Sequence, residues 1–241
     1  MGSYYFTPVS DQLPHAVAVF CGANLGTEST FQHAATSLGH ALAKQASPLV
    51  YGGGSRGMMG IISRTVLQNG GSVTAVIPSA MVRAGGEGDC PNPERYLAEK
   101  GREKATSHIV VDTIHERKVA MARRVRGFIG LPGGYGTFAE IMEVTTWTQL
   151  GIHTKPVVLV NVLGFFDPLR RLIKGAVDTG FVKGRDESLM VFVDCPPDED
   201  PDTFDWGTAA LSALDGWCAP GPGLFAWTPS LVEGDSLAMS Q

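Results

Sequence analysis

Cysteine is scarce in this sequence, and its four copies show no spacing that a metal site would need. Cys21, Cys90, Cys195 and Cys218 form no CxxC pair, and no histidines accompany them at the spacing of a zinc site. The sequence therefore predicts no structural metal. The cysteines are instead typical of reduced thiols in a reducing compartment.

Long apolar runs and an excess of basic charge are also missing. The longest apolar run, near residues 157–166, is interrupted by Asn161, and residues 1–10 lack a basic region followed by an apolar stretch. With 19 basic and 24 acidic residues, the net charge of −5 argues against broad binding to nucleic acid or anionic membrane. We therefore expect a cytoplasmic protein that binds neither nucleic acid nor membrane.

Apolar runs and helical patterns alternate along the chain. Strands are predicted at residues 16–20, 48–51, 73–77, 109–111, 128–131, 157–160 and 190–193. Helices are predicted at residues 31–44, from the second glycine cluster to about 69, and at 113–126, 137–150, 167–178 and 207–214. Because the strands are apolar on both faces, the fold class is α/β, with a parallel sheet covered by helices.

Two segments do not follow this alternation. Residues 79–107 are charged and contain two prolines and a glycine pair, so they are predicted to be a loop insertion with a short helix near 94–104. From Cys195 onward the chain is acidic and rich in proline. We therefore predict a catalytic domain over residues 1–194 and a C-terminal extension over residues 195–241.

Glycine clusters follow the first, second and fifth predicted strands. The fullest cluster, residues 131–140, reads Leu-Pro-Gly-Gly-Tyr-Gly-Thr-Phe-Ala-Glu and lies between a strand and a helix. Glycines let the backbone approach a ligand closely, and the free N–H groups of a helix start attract an anion. Ligands bind at the carboxyl ends of parallel strands. The three loops therefore predict a phosphate cradle for a nucleotide.

Two of these clusters also have other interpretations. Thr137 and Glu140 have the spacing of a capping box, which would give Glu140 a structural role beside a chemical one. Residues 53–57, Gly-Gly-Ser-Arg-Gly, match the GxSxG motif of serine hydrolases. That motif normally follows several strands, whereas this one follows the second, so we interpret the match as a coincidence.

Charged residues flank the third cluster. Residues 115–118, His-Glu-Arg-Lys, open a basic helix that is either a solvated face or, at the ligand-side edge of the sheet, a source of phosphate contacts. Glu140 and Glu143 lie three residues apart on one helix face. Because no histidine lies near them in sequence, we predict that they bind no metal.

Three blocks together resemble the LOG ("Lonely Guy") family of cytokinin riboside 5′-monophosphate phosphoribohydrolases. They are residues 49–60, residues 115–118 with their Arg-Lys pair, and residues 132–140, which match the PGGxGTxxE motif. The resemblance runs from about residue 16 to residue 193. Members have often carried a lysine decarboxylase label, but nothing in this sequence indicates a pyridoxal phosphate site.

The resemblance implies a Rossmann-like, doubly wound fold, a homodimer or a larger assembly of dimers, and no metal or organic cofactor. It implies hydrolysis of an N6-substituted adenosine monophosphate to free cytokinin base and ribose 5-phosphate, with AMP as a second candidate substrate. The family's essential arginine and glutamate fall on Arg117 and Glu140. The expected substrate contacts are Gly53, Gly54, Ser55, Lys118, Gly133, Gly134, Tyr135, Gly136, Thr137, Glu143 and Thr145. The alternative is a nucleotide sensor or carrier with the same fold and no turnover.

Overall fold

Seven parallel strands form one sheet in a computed structural model, which describes residues 15–84 and 106–225 of the chain. The strands are β1 (Val17–Phe20), β2 (Leu49–Tyr51), β3 (Val73–Pro78), β4 (Thr106–Val111), β5 (Gly127–Gly130), β6 (Val157–Val160) and β7 (Met190–Val193). Their spatial order is β4-β3-β2-β1-β5-β6-β7. The order reverses at β1, so a crevice opens where β1 meets β5. The predicted α/β fold with a Rossmann-like, doubly wound sheet is confirmed.

Seven α-helices flank the sheet in the described part of the chain. They are α1 (Ser29–Lys44), α2 (Gly57–Gln68), α3 (Ser79–Arg83), α4 (Ile114–Arg124), α5 (Tyr135–Leu150), α6 (Asp167–Asp178) and α7 (Trp206–Gly216). None of the helices among these residues is long and apolar enough to cross a membrane.

Alternate strand residues face two separate layers of helices, as the pleat of a strand requires. Val17 and Val19 of β1 pack in the core formed with α1, α2 and α7. Ala18 and Phe20 pack in the core formed with α4 and α5. Every residue of the central strands is buried, which explains why their sequences are apolar without interruption.

Residues 79–107 were predicted as a loop, and this prediction is wrong at both ends of the segment. Residues Ser79–Arg83 form α3, and β4 begins at Thr106, three residues before the predicted strand. Pairing with β3 explains the longer strand, because all six residues of β4 have partners in β3. The short helix predicted near residues 94–104 lies outside the described residues.

The described part of the C-terminal extension, residues 195–225, is attached to α1. Thr30 donates a hydrogen bond to Asp202 (2.5 Å), and Ser37 donates one to Asp205 (2.9 Å). Trp206 is fully buried in the same core as α1. The division of the chain at residue 194 stays a prediction, but α7 completes one face of the sheet.

The three cysteines within the described residues, Cys21, Cys195 and Cys218, form no disulfide bond there. Cys90 lies outside the described residues.

Candidate active site

A cleft of about 540 Å³ lies at the carboxyl ends of β1, β2 and β5. Hydrogen bonds join the three loops that form its floor. The Gly22 N–H donates to the Pro132 carbonyl (3.1 Å), and the Met58 N–H donates to the Gly22 carbonyl (3.1 Å). The predicted convergence of the three glycine clusters is therefore present in the fold.

The wall of the cleft on the β5 side is the start of α5. Gly134 is the N-cap residue and has no side chain to cap the helix. The Phe138 N–H donates to the Gly134 carbonyl, so residues 135–137 have backbone N–H groups that the helix itself does not use. A Cβ atom on Gly134 or on Gly136 would meet no atom of the described residues within 4 Å. Within the described chain, this helix end therefore combines N–H groups that the helix does not use with open space, which is the arrangement that binds an anion.

The capping-box interpretation of Thr137 and Glu140 is wrong. The helix begins at Tyr135, two residues earlier than predicted, so Thr137 lies inside the first turn. Glu140 is consequently in the second turn, where the helix dipole acts on it only weakly. Its carboxylate instead faces α4.

Arg117 and Glu140 form an ion pair inside the cleft. Arg117 Nη2 lies 3.3 Å from Glu140 Oε1, and the side chains are 9% and 14% exposed. The guanidinium lies against Gly52 at the end of β2, and any side chain at that position would overlap Nη2. Among the described residues, the buried Nε of Arg117 has no hydrogen-bond partner. Arg117 therefore has one buried donor that no group of the described residues satisfies.

Lys118 and Glu143 form a second ion pair between α4 and α5. Both side chains are largely buried, and His115 Nδ1 lies 3.6 Å from the other oxygen of Glu143. Lys118 lines the cleft, whereas Glu143 stands behind it. The two carboxylates at three-residue spacing thus each form an ion pair with a residue of α4.

Other predicted contact residues lie outside the cleft lining. Gly53 has φ +87° and packs on Ile77. Gly54 is buried, and the Ser55 carbonyl accepts a hydrogen bond from Arg64. Their assignment as substrate contacts stays a prediction.

Two predicted residues of α5 also point away from the cleft. Tyr135 is 92% exposed, with its ring 6.5 Å from that of Phe138. Thr145 donates to the Ile141 carbonyl of its own helix (2.8 Å). Their role in substrate binding stays a prediction as well.

Several residues that line the cleft were not predicted from sequence. Gly22 and Asn24 follow β1, and the glycine after the first strand was the available signal for them. Met81, Ile114 and Phe165 also line the cleft. Met81 Sδ lies 4.0 Å from Arg117 Nη1, and no sequence motif marks it.

Two residues near the other end of α5 have strongly lowered pKa values. Burial and the nearby charge of Lys155 lower the pKa of His153 to about 3. Burial lowers the pKa of Lys155 itself to about 8. The His153 ring packs on Phe128 with ring centroids 5.4 Å apart and meets Trp147 edge to face. His153 therefore packs against the end of α5 and does not line the cleft.

Proteins of known activity are similar to this chain over most of its length. A family model described as "Possible lysine decarboxylase" matches residues 59–199. The chain is 45% identical over 175 residues to cytokinin riboside 5′-monophosphate phosphoribohydrolase LOG2 of Arabidopsis thaliana, covering 73% of this chain and 76% of that protein. It is 41% identical over 181 residues to cytokinin riboside 5′-monophosphate phosphoribohydrolase LOG of Oryza sativa subsp. japonica, covering 75% and 68%.

Solved structures share the fold at much lower sequence identity. The molybdenum cofactor carrier protein of Chlamydomonas reinhardtii superimposes with a TM-score of 0.51 at 17% identity, covering 83% of this chain and 95% of that chain. The molybdenum cofactor binding protein of Rippkaea orientalis gives a TM-score of 0.51 at 16% identity, covering 77% and 93%. At this identity the similarity concerns the fold alone.

Proposed function

We propose a reaction for this chain from the premise that it belongs to the LOG family of cytokinin riboside 5′-monophosphate phosphoribohydrolases. It is an enzyme that hydrolyses the N-glycosidic bond of an N6-substituted adenosine monophosphate, releasing the free cytokinin base and ribose 5-phosphate. The observation that carries the proposal is the buried ion pair between Arg117 and Glu140. Glu140 lies in the second turn of α5, close to the N–H groups at the start of that helix.

The phosphate would bind at the start of α5. The unused N–H groups of residues 135–137 and the open space over Gly134 and Gly136 support this position. A monophosphate is therefore expected to bind much more tightly than the riboside, which lacks the anion.

Glu140 would face the ribose. Cleavage of the bond develops positive charge on the sugar, and a buried carboxylate beside C1′ stabilises that charge more in the transition state than in the substrate. The pairing with Arg117 favours the carboxylate form of Glu140, so it suits an electrostatic role and the deprotonation of the attacking water. Arg117, with its remaining donor at Nε, would orient phosphate and sugar.

The chain would act as a homodimer or as a larger assembly of dimers. Apolar side chains on the outer side of α5 and at the start of α4 support this proposal: Tyr135, Phe138, Met142 and Ile114 are all exposed. Met142→Glu should shift the sedimentation of the protein toward the monomer, and unchanged sedimentation would count against this surface. The cytoplasmic location and the absence of a cofactor stay predictions from the sequence.

A second candidate function is a nucleotide sensor or carrier without turnover. The similarity to carrier proteins concerns the fold alone, and a pure binder would gain nothing from a carboxylate near an anionic ligand. The hydrolase is therefore favoured.

The test is to incubate the purified protein with isopentenyladenosine monophosphate, its riboside and AMP, without added metal, and to measure free base by chromatography. We expect release from the isopentenyl monophosphate and not from the riboside, and loss of release in Glu140→Gln. Tight binding of the monophosphate by calorimetry without any release would favour the carrier.

A further inference from the structure

Polar side chains of α5 lie at three successive levels, the first two lining the cleft and the third behind it. Thr137, Glu140 and Glu143 follow one another at three-residue spacing, which places each about 4.5 Å further along the helix axis. Arg117 on α4 pairs with the second level and Lys118 with the third. The cleft wall therefore runs from an anion site, past a buried ion pair, to a lysine ammonium.

A nucleoside monophosphate has its reacting parts in the same order. If the phosphate binds at the start of α5 and C1′ lies beside Glu140, as the proposed function requires, the base lies at the level of Lys118. Lys118 lines the cleft there, together with Ile114 of the same helix.

The departing base needs a proton. When the bond between C1′ and N9 breaks, its electron pair goes to the purine, which would otherwise leave as an anion. The titratable residues lining the cleft, within the described chain, are Cys21, Arg117, Lys118 and Glu140. Arg117 does not give up its proton, and Glu140 is paired as a carboxylate. Cys21 follows β1 and precedes Gly22, near the anion site, so Lys118 is the donor at the level of the base.

We propose that Lys118 is the general acid that protonates the departing base, and that Glu143 holds its ammonium group in position. In this step a proton moves from Lys118 Nζ to a ring nitrogen of the purine as the bond between C1′ and N9 breaks. Water attacks C1′ and gives its proton to Glu140. Exchange with solvent then returns a proton to Lys118 and removes one from Glu140, so the net change is the addition of one water.

Glu143 acts through Lys118 in this scheme and does not touch the substrate. Its carboxylate contacts Lys118 with one oxygen and approaches His115, which is half-exposed, with the other. It is a positioning residue, which differs from its predicted role as a substrate contact.

The decisive experiment compares two leaving groups in Lys118→Met. The substrates are isopentenyladenosine monophosphate and its N7-methylated derivative, whose base carries a fixed positive charge and leaves as a neutral molecule without a proton. We expect kcat to fall roughly 100-fold for the first and to stay within about threefold for the second. An equal loss on both, or no loss on either, would overturn the proposal.

A second comparison does not depend on the methylated nucleotide. The 2-fluoro derivative of isopentenyladenosine monophosphate has a base that accepts the electron pair more readily. The ratio of its kcat to that of the parent should rise at least about tenfold in Lys118→Met relative to the wild type. An unchanged ratio would overturn the proposal.

Matched variants separate acid catalysis from charge and from folding. Lys118→Arg keeps the positive charge but is a poor proton donor, so it should behave like Lys118→Met, and full rescue by arginine would show a purely electrostatic role. Glu143→Gln should lower kcat in the wild-type background and have no further effect in Lys118→Met.

Lys174→Met, on the exposed face of α6, is the control for loss of a lysine. Failure of the wild type to release base from isopentenyladenosine monophosphate would instead refute the proposed function.

Discussion

The two ends of helix α5 differ in whether their backbone N–H and carbonyl groups have hydrogen-bond partners within the described chain. At its start, the N-cap residue is a glycine with no side chain to cap the helix, and the helix itself does not use the N–H groups of residues 135–137. At its end, each of the last four carbonyls has a partner. Gly151 and Ile152 donate to Thr148 and Trp147, while Leu224 and Phe225 of the C-terminal extension donate to Gln149 and Leu150.

The ionisable side chains near the two ends of α5 differ as well. Near the start of α5, ion pairs with α4 face the cleft. Near its end, burial lowers the pKa values of both His153 and Lys155, which favours their neutral forms. A helix end with every group paired contributes to stability, whereas an end with unpaired groups leaves binding energy for the ligand. Changes at the start should therefore affect turnover, and changes at the end should affect folding.

Removing the carboxylate near the start of α5 should have the largest effect. Glu140→Gln should lower kcat at least about 1000-fold, because the charge that develops on the ribose loses its stabilising anion. Its thermal unfolding should stay close to that of the wild type. Asp178→Asn, on the exposed side of α6, is the matched control, and substantial base release by Glu140→Gln would refute the role of Glu140.

Adding a methyl group at Gly52 should have the next largest effect. The new Cβ would overlap Arg117 Nη2 and displace the guanidinium from Glu140, so we expect kcat/KM to fall about 100-fold. Gly175→Ala is the control, since a Cβ there meets no atom within 4 Å. Normal kinetics in Gly52→Ala would mean that catalysis does not need Arg117 in this position.

The other end of α5 should respond to pH. The pKa of His153 is about 3 in the fold and 6.5 when unfolded, so the unfolded chain binds the proton first as the pH falls. The stability from neutral His153 is fully present above pH 6.5 and should decrease by about 2 kcal/mol on going to about pH 4.5.

This pH dependence is measured by urea unfolding of the wild type and His153→Leu across that range. The variant should show a flatter dependence. Lys155, whose pKa in the fold is about 8, does not change the pH dependence of the free energy of unfolding in this range, because it is charged in both the folded and the unfolded state. Equal slopes in the two proteins would contradict the assignment to His153.

A smaller effect is expected at the anion site. Gly134→Ala places a methyl group in the open space where the phosphate would lie, so ribose 5-phosphate should bind about tenfold more weakly by calorimetry. The fold should be unaffected, because φ at this residue is −104° and alanine adopts it readily. Unchanged affinity would place the phosphate elsewhere.

The smallest effect is expected at the end of α5. Leu224→Pro removes the N–H that pairs with the Gln149 carbonyl and should lower the free energy of unfolding by about 1 kcal/mol without changing kcat. Leu224→Ala keeps the N–H and is the control. A fall in kcat with unchanged stability would contradict the expectation that changes at the end of α5 affect folding and not turnover.

Sequence patterns predicted the parts of this molecule that depend on local chemistry. Most of the strands were found because they are almost entirely apolar, whereas the polar first half of β4 was missed. The cleft was found because glycine clusters follow the strands. The pairing of Lys118 with Glu143 could not be predicted, because it depends on how α4 and α5 pack. The start of α5 was misplaced because Thr137 and Glu140 have the spacing of a cap, whereas the helix start is left open beside the cleft.

The attachment of α7 to α1 has a consequence for how the chain folds during synthesis. Thr30 and Asp202, which are hydrogen-bonded, are 172 residues apart in sequence, and Trp206 fills the core beneath α1. A chain emerging from the ribosome exposes α1 long before α7 has been made. The part of the core that α7 covers therefore stays exposed for most of translation, and the slow closure of this long loop is expected to set the pace of folding.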